Sequence, residues 1–201
     1  MVEWSIKAFR ACESVHSIVV AAPPGHRGDL GGHDLGVVPG GATRAQSVAN
    51  ALEAVGTGCV AVHDAARPLL TPALVEALVA DLDANEDAAG VIAAAPVDDT
   101  IKRAAESKRR FSPPEGENRR FVIEATEDRS RLWRAQTPQV FRTEALREAL
   151  ASAGQPEQAT DEAMLVEAAG GSVLIHPVAE PNLKVTTTLD LRVAELLLAE
   201  R

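Results

Sequence analysis

Short runs of apolar residues alternate with longer amphipathic stretches along most of the chain. Continuous apolar runs are typical of strands that are covered on both faces, and they predict strands at residues 17–22, 35–38, 59–62, 90–95 and 172–178. Apolar residues at helical spacing predict helices at residues 43–55, 72–82, 143–153, 161–169 and 189–200. This alternation favours an α/β sandwich around a mostly parallel sheet. Because ligands of such sheets bind beyond the carboxyl ends of the strands, functional residues are expected just after Val38, Val62 and Ala95.

Residues 102–120 depart from this alternation, because clustered Lys, Arg and Glu surround Pro113-Pro114-Glu115-Gly116 and no core periodicity is present. The flanking residues 100–101 and 121–123 are typical of two extended segments joined by a solvated tip. A long surface hairpin and an arm that pairs with a second subunit both fit this pattern. Nothing in the sequence marks a boundary between two domains, so we expect a single domain over residues 1–201, with a β-arm at about 97–133.

Charge and composition argue against several classes of function. The formal net charge of -9 disfavours binding to DNA or RNA, whose phosphates require a basic face, although a few local Lys and Arg residues can hold one phosphate. No apolar run is long enough to span a bilayer. Cys12 and Cys59 lack metal-ligand spacing. We therefore expect a reduced, cytoplasmic protein that binds neither nucleic acid nor a membrane.

A glycine-rich turn follows the second predicted strand and leads into a helix. Gly40, Gly41 and Ala42 allow the backbone to approach a ligand, and the N–H groups at the start of the helix attract an anion or a base edge. Arg44 and Ser47 are three residues apart and therefore lie on one side of this helix. From these residues alone, a nucleotide-binding turn and a purely structural tight turn both stay open.

The segment His63-Asp64-Ala65-Ala66-Arg67-Pro68 follows the third predicted strand at its carboxyl end. Asp64 is placed among small residues where it could hold a divalent cation, and Arg67 offers a fork of donors to phosphate oxygens. The alternative is a surface ion pair between Asp64 and Arg67, with Asp64 starting a turn. We interpret His63 as a structural histidine with satisfied hydrogen bonds rather than as a catalytic base.

Residues beyond the strand at 90–95 add further charged groups. Asp98 and Asp99 are interpreted as the start of a turn. Arg129 is either solvated or reaches a phosphate from the returning arm. We leave both interpretations of Arg129 open.

Two more candidates lie near the end of the chain. Thr160 is predicted to cap the helix at residues 161–169, and the N–H groups of that helix end would also attract an anion. Lys184 is predicted to lie on a strand over residues 182–187, with its side chain opposite to those of its apolar neighbours. It is either a surface lysine or a group that stabilises charge on a transferring phosphorus.

These segments, taken in order, resemble the methylerythritol phosphate cytidylyltransferase family of the non-mevalonate isoprenoid pathway. Each match alone is modest, but the ordered set extends along nearly the whole chain and is specific. The matching residues are Gly40-Gly41 with Arg44 and Ser47-Val48, His63-Asp64-Ala65-Ala66-Arg67-Pro68, Pro96-Val97, Asp99-Thr100-Ile101-Lys102, Asp128-Arg129 with Leu132-Trp133, Gln136-Thr137-Pro138-Gln139-Val140-Phe141, Thr160-Asp161-Glu162-Ala163 and Asn182-Leu183-Lys184-Val185-Thr186.

The resemblance implies a three-layer, Rossmann-like nucleotidyltransferase sandwich with a protruding β-arm. It implies transfer of CMP from CTP to 2-C-methyl-D-erythritol 4-phosphate, by in-line attack of the substrate phosphate on the α-phosphorus with release of pyrophosphate. Such a reaction requires positioning and charge neutralisation rather than a protein nucleophile. The family is dimeric, so the resemblance also implies a homodimer formed through an exchanged β-arm.

The resemblance also assigns roles to the matching residues. The nucleotide would be bound by Gly40, Gly41, Ala42, Arg44 and Ser47, with Ser47 and the backbone of Gly41 and Ala42 facing the cytosine and its ribose. Asp64 would bind Mg²⁺ that bridges the CTP phosphates. The methylerythritol phosphate and the reacting centre would be held by Arg67, Thr160 and Lys184. Thr100 and Arg129 would serve the site of the partner subunit. Catalysis would depend on Lys184, Arg67 and Asp64.

The start of the chain departs from the family pattern. Family members begin with a buried strand, a glycine-rich turn bearing Arg and a Pro-Lys-Gln segment that together wrap the triphosphate, whereas residues 1–6 here resemble the helix after that region. Two interpretations stay open, a fragment of an active protein and a short protein. In either case we expect the chain as it stands to bind CTP poorly and to fold less stably. Residues 112–119 also lengthen the arm tip beyond the family pattern.

Two alternative functions stay open as well. CMP transfer to another polyol phosphate, such as ribitol 5-phosphate, would use the same fold. A non-catalytic homologue would keep the arm for dimerisation and would have lost turnover.

Overall fold

The computed structural model describes residues 1–23, 25–26, 35–106 and 121–201, which form two compact units, Met1–Ala94 with Ala135–Arg201 and Ala95–Arg134. The helices are α1 (Val2–Arg10), α2 (Arg44–Leu52), α3 (Pro72–Asp83), α4 (Thr143–Ser152), α5 (Glu162–Ala168) and α6 (Thr188–Ala199). The strands are β1 (Ile18–Ala22), β2 (Leu35–Pro39), β3 (Cys59–Val62), β4 (Gly90–Pro96), β5 (Lys102–Glu106), β6 (Phe121–Thr126), β7 (Trp133–Arg142) and β8 (Val173–Pro177). Short 3-10 turns lie at Arg129–Arg131 and Pro156–Gln158.

The larger sheet has the strand order β3-β7-β4-β8. Strands β4 and β8 are parallel, as are β1 and β2 in a separate two-stranded sheet. Strand β7 runs antiparallel to β3, with Val62 opposite Gln139. Continuing this register beyond the carboxyl end of β3 brings Thr137 next to Asp64. The sequence pattern did not predict β7, because Gln136, Thr137 and Gln139 interrupt its apolar run.

Two apolar clusters in the core of the larger unit lie on opposite faces of the sheet, and a third packs α1 against α3. Ile92 and Phe141 pack on one face with residues of α4 and α5, whereas Val91 and Val140 pack on the other face with residues of α3. Successive strand residues point to opposite faces, so helices cover both faces of the sheet and form three layers. Gly90 permits the close packing of β4 and β7, since a Cβ atom there would lie 2.3 Å from Cδ1 of Phe141.

Side-chain caps explain where several helices begin. The Thr43 and Thr71 hydroxyls accept hydrogen bonds from Gln46 N and Leu74 N, and Pro72 occupies the first turn of α3. The prediction that Thr160 caps α5 is wrong, because the cap is Asp161, whose side chain accepts a hydrogen bond from Met164 N. A carboxylate is a stronger acceptor than a hydroxyl for these N–H groups.

The prediction of a strand over residues 182–187 is also wrong, because this segment has irregular backbone in the structure. It is held by isolated hydrogen bonds rather than by a ladder, including Val185 N to Ala66 O at 2.8 Å. Pro181, just before it, has no N–H to donate to a neighbouring strand. Thr187 then starts α6 with a capping box that includes Asp190.

The smaller unit contains the antiparallel pair β5–β6, with a register shift between Arg103 and Ala104. Lys102 Nζ donates to Thr126 Oγ1 at 2.7 Å across this pair. The backbone carbonyl of Asp98 accepts a hydrogen bond from Arg129, and the carboxylate of Asp98 lies 3.2 Å from Arg134 Nη2. The predicted arm tip at residues 112–119 lies outside the described residues, and the assignment of one domain stays a prediction. No helix within the described ranges is both long and apolar enough to cross a membrane.

Candidate active site

Asp64 lies just beyond the carboxyl end of β3 and is surrounded by basic side chains from three parts of the larger unit. Its Oδ2 atom is 2.9 Å from Lys184 Nζ and 3.8 Å from Arg67 Nε, and its Oδ1 atom is 3.5 Å from Arg44 Nη2. The Asp64 side chain is only 16% exposed. Candidate residues from three separate sequence motifs therefore meet at one point.

The basic neighbours decide the charge state of Asp64. Burial by itself would raise the pKa of this carboxyl, but the hydrogen bond from Lys184 and the charges of Arg44, Lys184 and Arg67 together lower the pKa below its usual value. Asp64 is therefore an anion near neutral pH. A single carboxylate held between cations is suited to binding phosphate groups and a metal ion, since the cations and the anion can exchange partners when a ligand arrives.

Hydrogen bonds to the backbone position Arg67 and Lys184 relative to Asp64. Arg67 N donates to Asp64 O at 2.9 Å, which closes the turn after β3, and Arg67 Nη1 donates to Asn182 O at 2.6 Å. The buried Asn182 side chain donates to Thr137 O at 2.8 Å. Thr137 and Asn182 thus join β7 and the segment bearing Lys184 to the Asp64 turn. Both residues lie in the matching sequence motifs, and no role was predicted for either of them.

His63 has both ring nitrogens engaged, which supports its interpretation as a structural residue. Nε2 donates to Arg67 O at 3.1 Å, and Nδ1 therefore accepts from Thr137 Oγ1 at 3.0 Å. The same Thr137 hydroxyl accepts a hydrogen bond from Asp64 N at 3.0 Å. Burial lowers the pKa of His63 to about 4, so the ring is neutral near pH 7 and acts as a support for the turn.

The glycine-rich turn packs tightly against the start of α2. Gly41 N donates to Ser47 Oγ at 2.9 Å, and Ala42 N donates to Gln46 Oε1 at 2.9 Å. A Cβ atom on Gly41 would lie 2.4 Å from Gln46 Cγ, so glycine is required there for packing. This packing supports the structural interpretation of the turn, and nucleotide binding there stays a prediction. Nucleotide binding would additionally require a ligand to replace these local side-chain acceptors.

Glu162 contributes to the site but was not among the predicted site residues. Its side chain is 1% exposed, and its Oε1 atom contacts the guanidinium of Arg44. Burial raises the pKa of Glu162, although the Arg44 contact opposes that shift. The other carboxylate oxygen, Oε2, is buried without a hydrogen-bond partner among the described residues. The sequence did carry a signal for this role, since Glu162 directly follows the helix cap Asp161 and is itself followed by apolar residues.

Thr160, Thr100 and Arg129 are the remaining predicted residues. Thr160 is exposed and lies two residues before Glu162 in the chain. Thr100 and Arg129 belong to the smaller unit, where Arg129 donates to Asp98 O. The roles assigned to these three residues stay predictions.

A metal ion at Asp64 would need ligands beyond the carboxylate, imidazole and thiol groups of the described residues. Within the described ranges, no group of three or more His, Cys, Asp or Glu side chains is arranged to hold a metal ion. Mg²⁺, however, is commonly bound by one or two carboxylates together with substrate phosphates and water. The single carboxylate of Asp64 fits that kind of site rather than a site made by the protein alone.

Comparison with known proteins gives consistent results over the whole chain. The family model of IspD, 2-C-methyl-D-erythritol 4-phosphate cytidylyltransferase, matches residues 1–200. The 2-C-methyl-D-erythritol 4-phosphate cytidylyltransferase of Paraburkholderia phymatum is 42% identical over 210 residues, covering 98% of this chain and 84% of the relative. The crystal structure of the enzyme of the same name from Thermus thermophilus matches with a TM-score of 0.78 and 35% identity, covering 98% of this chain and 88% of that one.

A bifunctional relative is similar over part of its length. The bifunctional enzyme IspD/IspF of Anaeromyxobacter sp. (strain Fw109-5) is 44% identical over 188 residues, which are 90% of this chain and 45% of the relative. The chain thus spans less than half of that relative. The matching structures confirm the predicted α/β nucleotidyltransferase fold with a mostly parallel sheet.

Proposed function

The chain belongs to the 2-C-methyl-D-erythritol 4-phosphate cytidylyltransferase family, and from this premise we propose that it transfers CMP from CTP to 2-C-methyl-D-erythritol 4-phosphate. An oxygen of the substrate phosphate forms a bond to the α-phosphorus of CTP. The bond from that phosphorus to the oxygen bridging to the β-phosphorus breaks, and pyrophosphate leaves with the electron pair. The observation that carries the proposal is the meeting of Arg44, Arg67 and Lys184 on Asp64.

Arg67 and Lys184, the two cations proposed to act at the reacting centre, differ in how freely their side chains can move. The Arg67 side chain is 11% exposed and donates to the Asn182 carbonyl, so its position is fixed before a ligand arrives. The Lys184 side chain is 46% exposed. It can therefore move from Asp64 to a phosphate oxygen with little rearrangement. We assign to Arg67 the orientation of the substrate phosphate, and to Lys184 the neutralisation of charge that grows in the transition state.

The turn of Gly40, Gly41 and Ala42, together with Arg44 and Ser47, is proposed to bind the nucleotide. Gly41 N and Ala42 N are held by the Ser47 and Gln46 side chains, which keep both N–H groups at the start of α2. A helix start that presents N–H groups favours an anion or the acceptor edge of a base. Cytosine carries such acceptors, so it can compete for these donors.

Thr160 is proposed to contact the methylerythritol phosphate. It is exposed and lies two residues before the first residue of α5, whose N–H groups favour negative charge. This placement leaves its hydroxyl accessible to a ligand. Its role is supported by the family resemblance and by this accessibility.

Asp64 is proposed to hold Mg²⁺ together with the CTP phosphates. Such an ion would supply positive charge to the triphosphate and help pyrophosphate to leave. The basic residues of the chain would then neutralise the negative charge of the phosphate oxygens that the metal ion does not contact. Asp64 would give up Lys184 and Arg44 to the phosphates as it takes the metal.

A homodimer formed through the smaller unit is the remaining part of the proposal. In β6, Phe121, Val122 and Ile123 are 62%, 55% and 62% exposed, an apolar run that a partner strand or surface would cover. Thr100 and Arg129 belong to the same unit. We propose that they reach the substrate bound to the partner subunit.

Pyrophosphate release tests the reaction. The protein is incubated with CTP, Mg²⁺ and either 2-C-methyl-D-erythritol 4-phosphate or ribitol 5-phosphate. Release with the methylerythritol phosphate alone supports the proposal. Release with ribitol 5-phosphate alone would show that ribitol 5-phosphate is the acceptor. No release with either acceptor, at CTP concentrations high enough to offset the expected weak binding, would indicate a non-catalytic homologue.

The mass of the protein in solution tests the dimer. The double variant Val122→Ser/Ile123→Ser is expected to sediment as a monomer where the wild type sediments as a dimer. Leu196→Ser is the matched control, because Leu196 is 67% exposed on α6 outside the smaller unit. A monomeric wild type, or a double variant that stays dimeric, would contradict the proposed interface.

A further inference from the structure

Arg44 is held between two carboxylates from distant parts of the chain. Its Nη1 atom contacts Oε1 of Glu162 at the start of α5, and its Nη2 atom lies 3.5 Å from Asp64 after β3. Arg44 is itself the first residue of α2, directly after the turn proposed to bind the nucleotide. One guanidinium therefore connects the nucleotide turn, the Asp64 cluster and the segment that carries Thr160.

Glu162 is the more rigid of the two carboxylates. Its side chain is 1% exposed, and its backbone is fixed by Gln139, which donates to Asp161 Oδ2 at 2.9 Å and accepts from Ala163 N at 3.3 Å. A carboxylate buried to this degree is costly unless it is paired with a cation. Among the described residues, Arg44 is the cation in contact with it. The burial therefore ties the position of Arg44 to that of α5.

The arginine fork suits such an anchor. A guanidinium has five N–H donors in a fixed plane, so contacts with two carboxylates leave donors for a ligand. The Arg44 side chain is 37% exposed, which keeps part of the guanidinium accessible. When a ligand draws Asp64 away, the contact with Glu162 still holds Arg44 in place.

We propose that Glu162 is a positioning residue that anchors the Arg44 guanidinium beside the Gly40–Ala42 turn, so that Arg44 presents fixed donors to CTP. This inference rests on the proposed cytidylyltransferase function. It adds to that function a residue that acts through Arg44 rather than on the substrate. The anchor should affect recognition of the nucleotide more than the chemical step.

Steady-state kinetics of four variants tests the anchor. Glu162→Gln and Arg44→Ala are each expected to raise KM for CTP about tenfold, equivalent to about 1.4 kcal/mol. The fold increase in KM for CTP should exceed any fall in kcat and any rise in KM for the acceptor. In the double variant, KM for CTP should equal that of Arg44→Ala alone, because Glu162 has no effect once Arg44 is absent. Glu167→Gln is the control, since it removes the same charge from an exposed position of α5.

Arg44→Lys tests the same idea without changing the buried carboxylate. Lysine keeps the charge but cannot place two donors on two carboxylates, so KM for CTP should rise as in Arg44→Ala. An unchanged KM in Arg44→Lys or Glu162→Gln would overturn the anchor. Additive effects in the double variant would do the same, because they would show that Glu162 acts independently of Arg44.

Calorimetric titration with CTP separates this inference from the proposed function. If the wild type binds CTP but releases no pyrophosphate, the proposed function fails, and the dissociation constants of the same variants decide the anchor by the same comparison. If the wild type turns over and the variants behave as wild type, the anchor alone fails. A wild type that neither binds CTP nor turns over would overturn both.

Discussion

The two carboxylates that contact Arg44 have opposite environments. Asp64 lies at the carboxyl end of β3, is 16% exposed and meets three cations, and its pKa is lowered. Glu162 lies at the start of α5 and is 1% exposed, Arg44 is its one cationic partner in the part of the chain that the structure describes, and its pKa is raised. The number of charged neighbours outweighs burial at Asp64, whereas burial outweighs the single neighbour at Glu162. The Arg44 guanidinium thus links Asp64, whose ion pairs can be exchanged for a ligand, to Glu162, which is a fixed support.

The difference suggests a division of roles within the site. Ion pairs at the accessible Asp64 can be replaced by phosphate groups or a metal ion without burying an unpaired charge. The pair at Glu162 cannot be replaced at low cost, because the remaining carboxylate would stay buried. Substitutions at the Asp64 end should therefore change turnover or the Mg²⁺ dependence of CTP binding, and substitutions at the Glu162 end should change the positioning of Arg44.

The largest effect is expected for Lys184→Ala, at the exchangeable end. Turnover should fall roughly 10²–10³-fold, as when a group that stabilises transition-state charge is removed. KM should change little, because Lys184 is proposed to act mainly on charge that develops during transfer. Lys7→Ala serves as the control. It removes the same charge from α1, where the Lys7 ammonium lies over the Trp4 ring. An unchanged turnover in Lys184→Ala would make Lys184 an ordinary surface lysine.

Asp64→Asn should weaken CTP binding about tenfold and should abolish the dependence of that binding on Mg²⁺. Glu162→Gln is expected to keep this Mg²⁺ dependence, because Glu162 is not proposed to contact the metal ion. Isothermal titration with and without Mg²⁺ measures both. Asp83→Asn, at an exposed position of α3, is the control. Retained Mg²⁺ dependence in Asp64→Asn would remove Asp64 from the metal site.

Thr137→Val should lower the free energy of unfolding by about 1–3 kcal/mol, because it leaves Asp64 N and His63 Nδ1 without a partner. The matched variant is Thr143→Val, since the buried Thr143 hydroxyl has no partner among the described residues. That change should be nearly neutral. Thermal unfolding of both variants measures the difference, and equal losses would show that the hydrogen bonds of Thr137 do not support the Asp64 turn.

The smallest effect is a difference in how stability depends on pH. Asp64, with a lowered pKa, stabilises the folded state above the usual aspartate range, and this contribution is lost as pH falls through the lowered pKa. Glu162, with a raised pKa, takes up its proton more readily when folded, so its contribution to stability falls as pH rises through the raised pKa.

Thermal unfolding between about pH 3 and pH 7 checks these two slopes, a range that brackets the usual carboxyl values. On acidification, the wild type should lose stability relative to Asp64→Asn and gain stability relative to Glu162→Gln. Slopes of the same sign would contradict the assignment of opposite environments to the two carboxylates.

Much of the fold followed from local pattern. Strand β3 has the predicted bounds, and β1, β4 and the helices α2 to α6 agree within a few residues. Continuous apolar runs and helical spacing depend on near neighbours in sequence, so they can be recognised without tertiary structure. The two errors had local causes. Thr160 and Asp161 are both good caps, and the alternation around Lys184 resembles a strand although Pro181 precedes it.

The candidate site was predictable in its residue types but not in its connections. The ordered motifs placed Asp64, Arg67 and Lys184 in one expected site, and the structure brings them into contact. Thr137 and Asn182 gave no chemical signal of their own, because their importance comes from hydrogen bonds to backbone atoms far away in the chain. The roles of Thr100, Arg129 and Thr160 stay predictions.

The sequence by itself determined the alternation of elements, the family and the kinds of side chain available for phosphate chemistry, because these are properties of short segments and their order. Only the tertiary structure decided that β7 runs antiparallel to β3 and places Thr137 beside Asp64. It also decided that Glu162 is buried against Arg44, across 118 residues of chain. Such contacts depend on strand register and helix packing, which are set by the whole core rather than by any one segment.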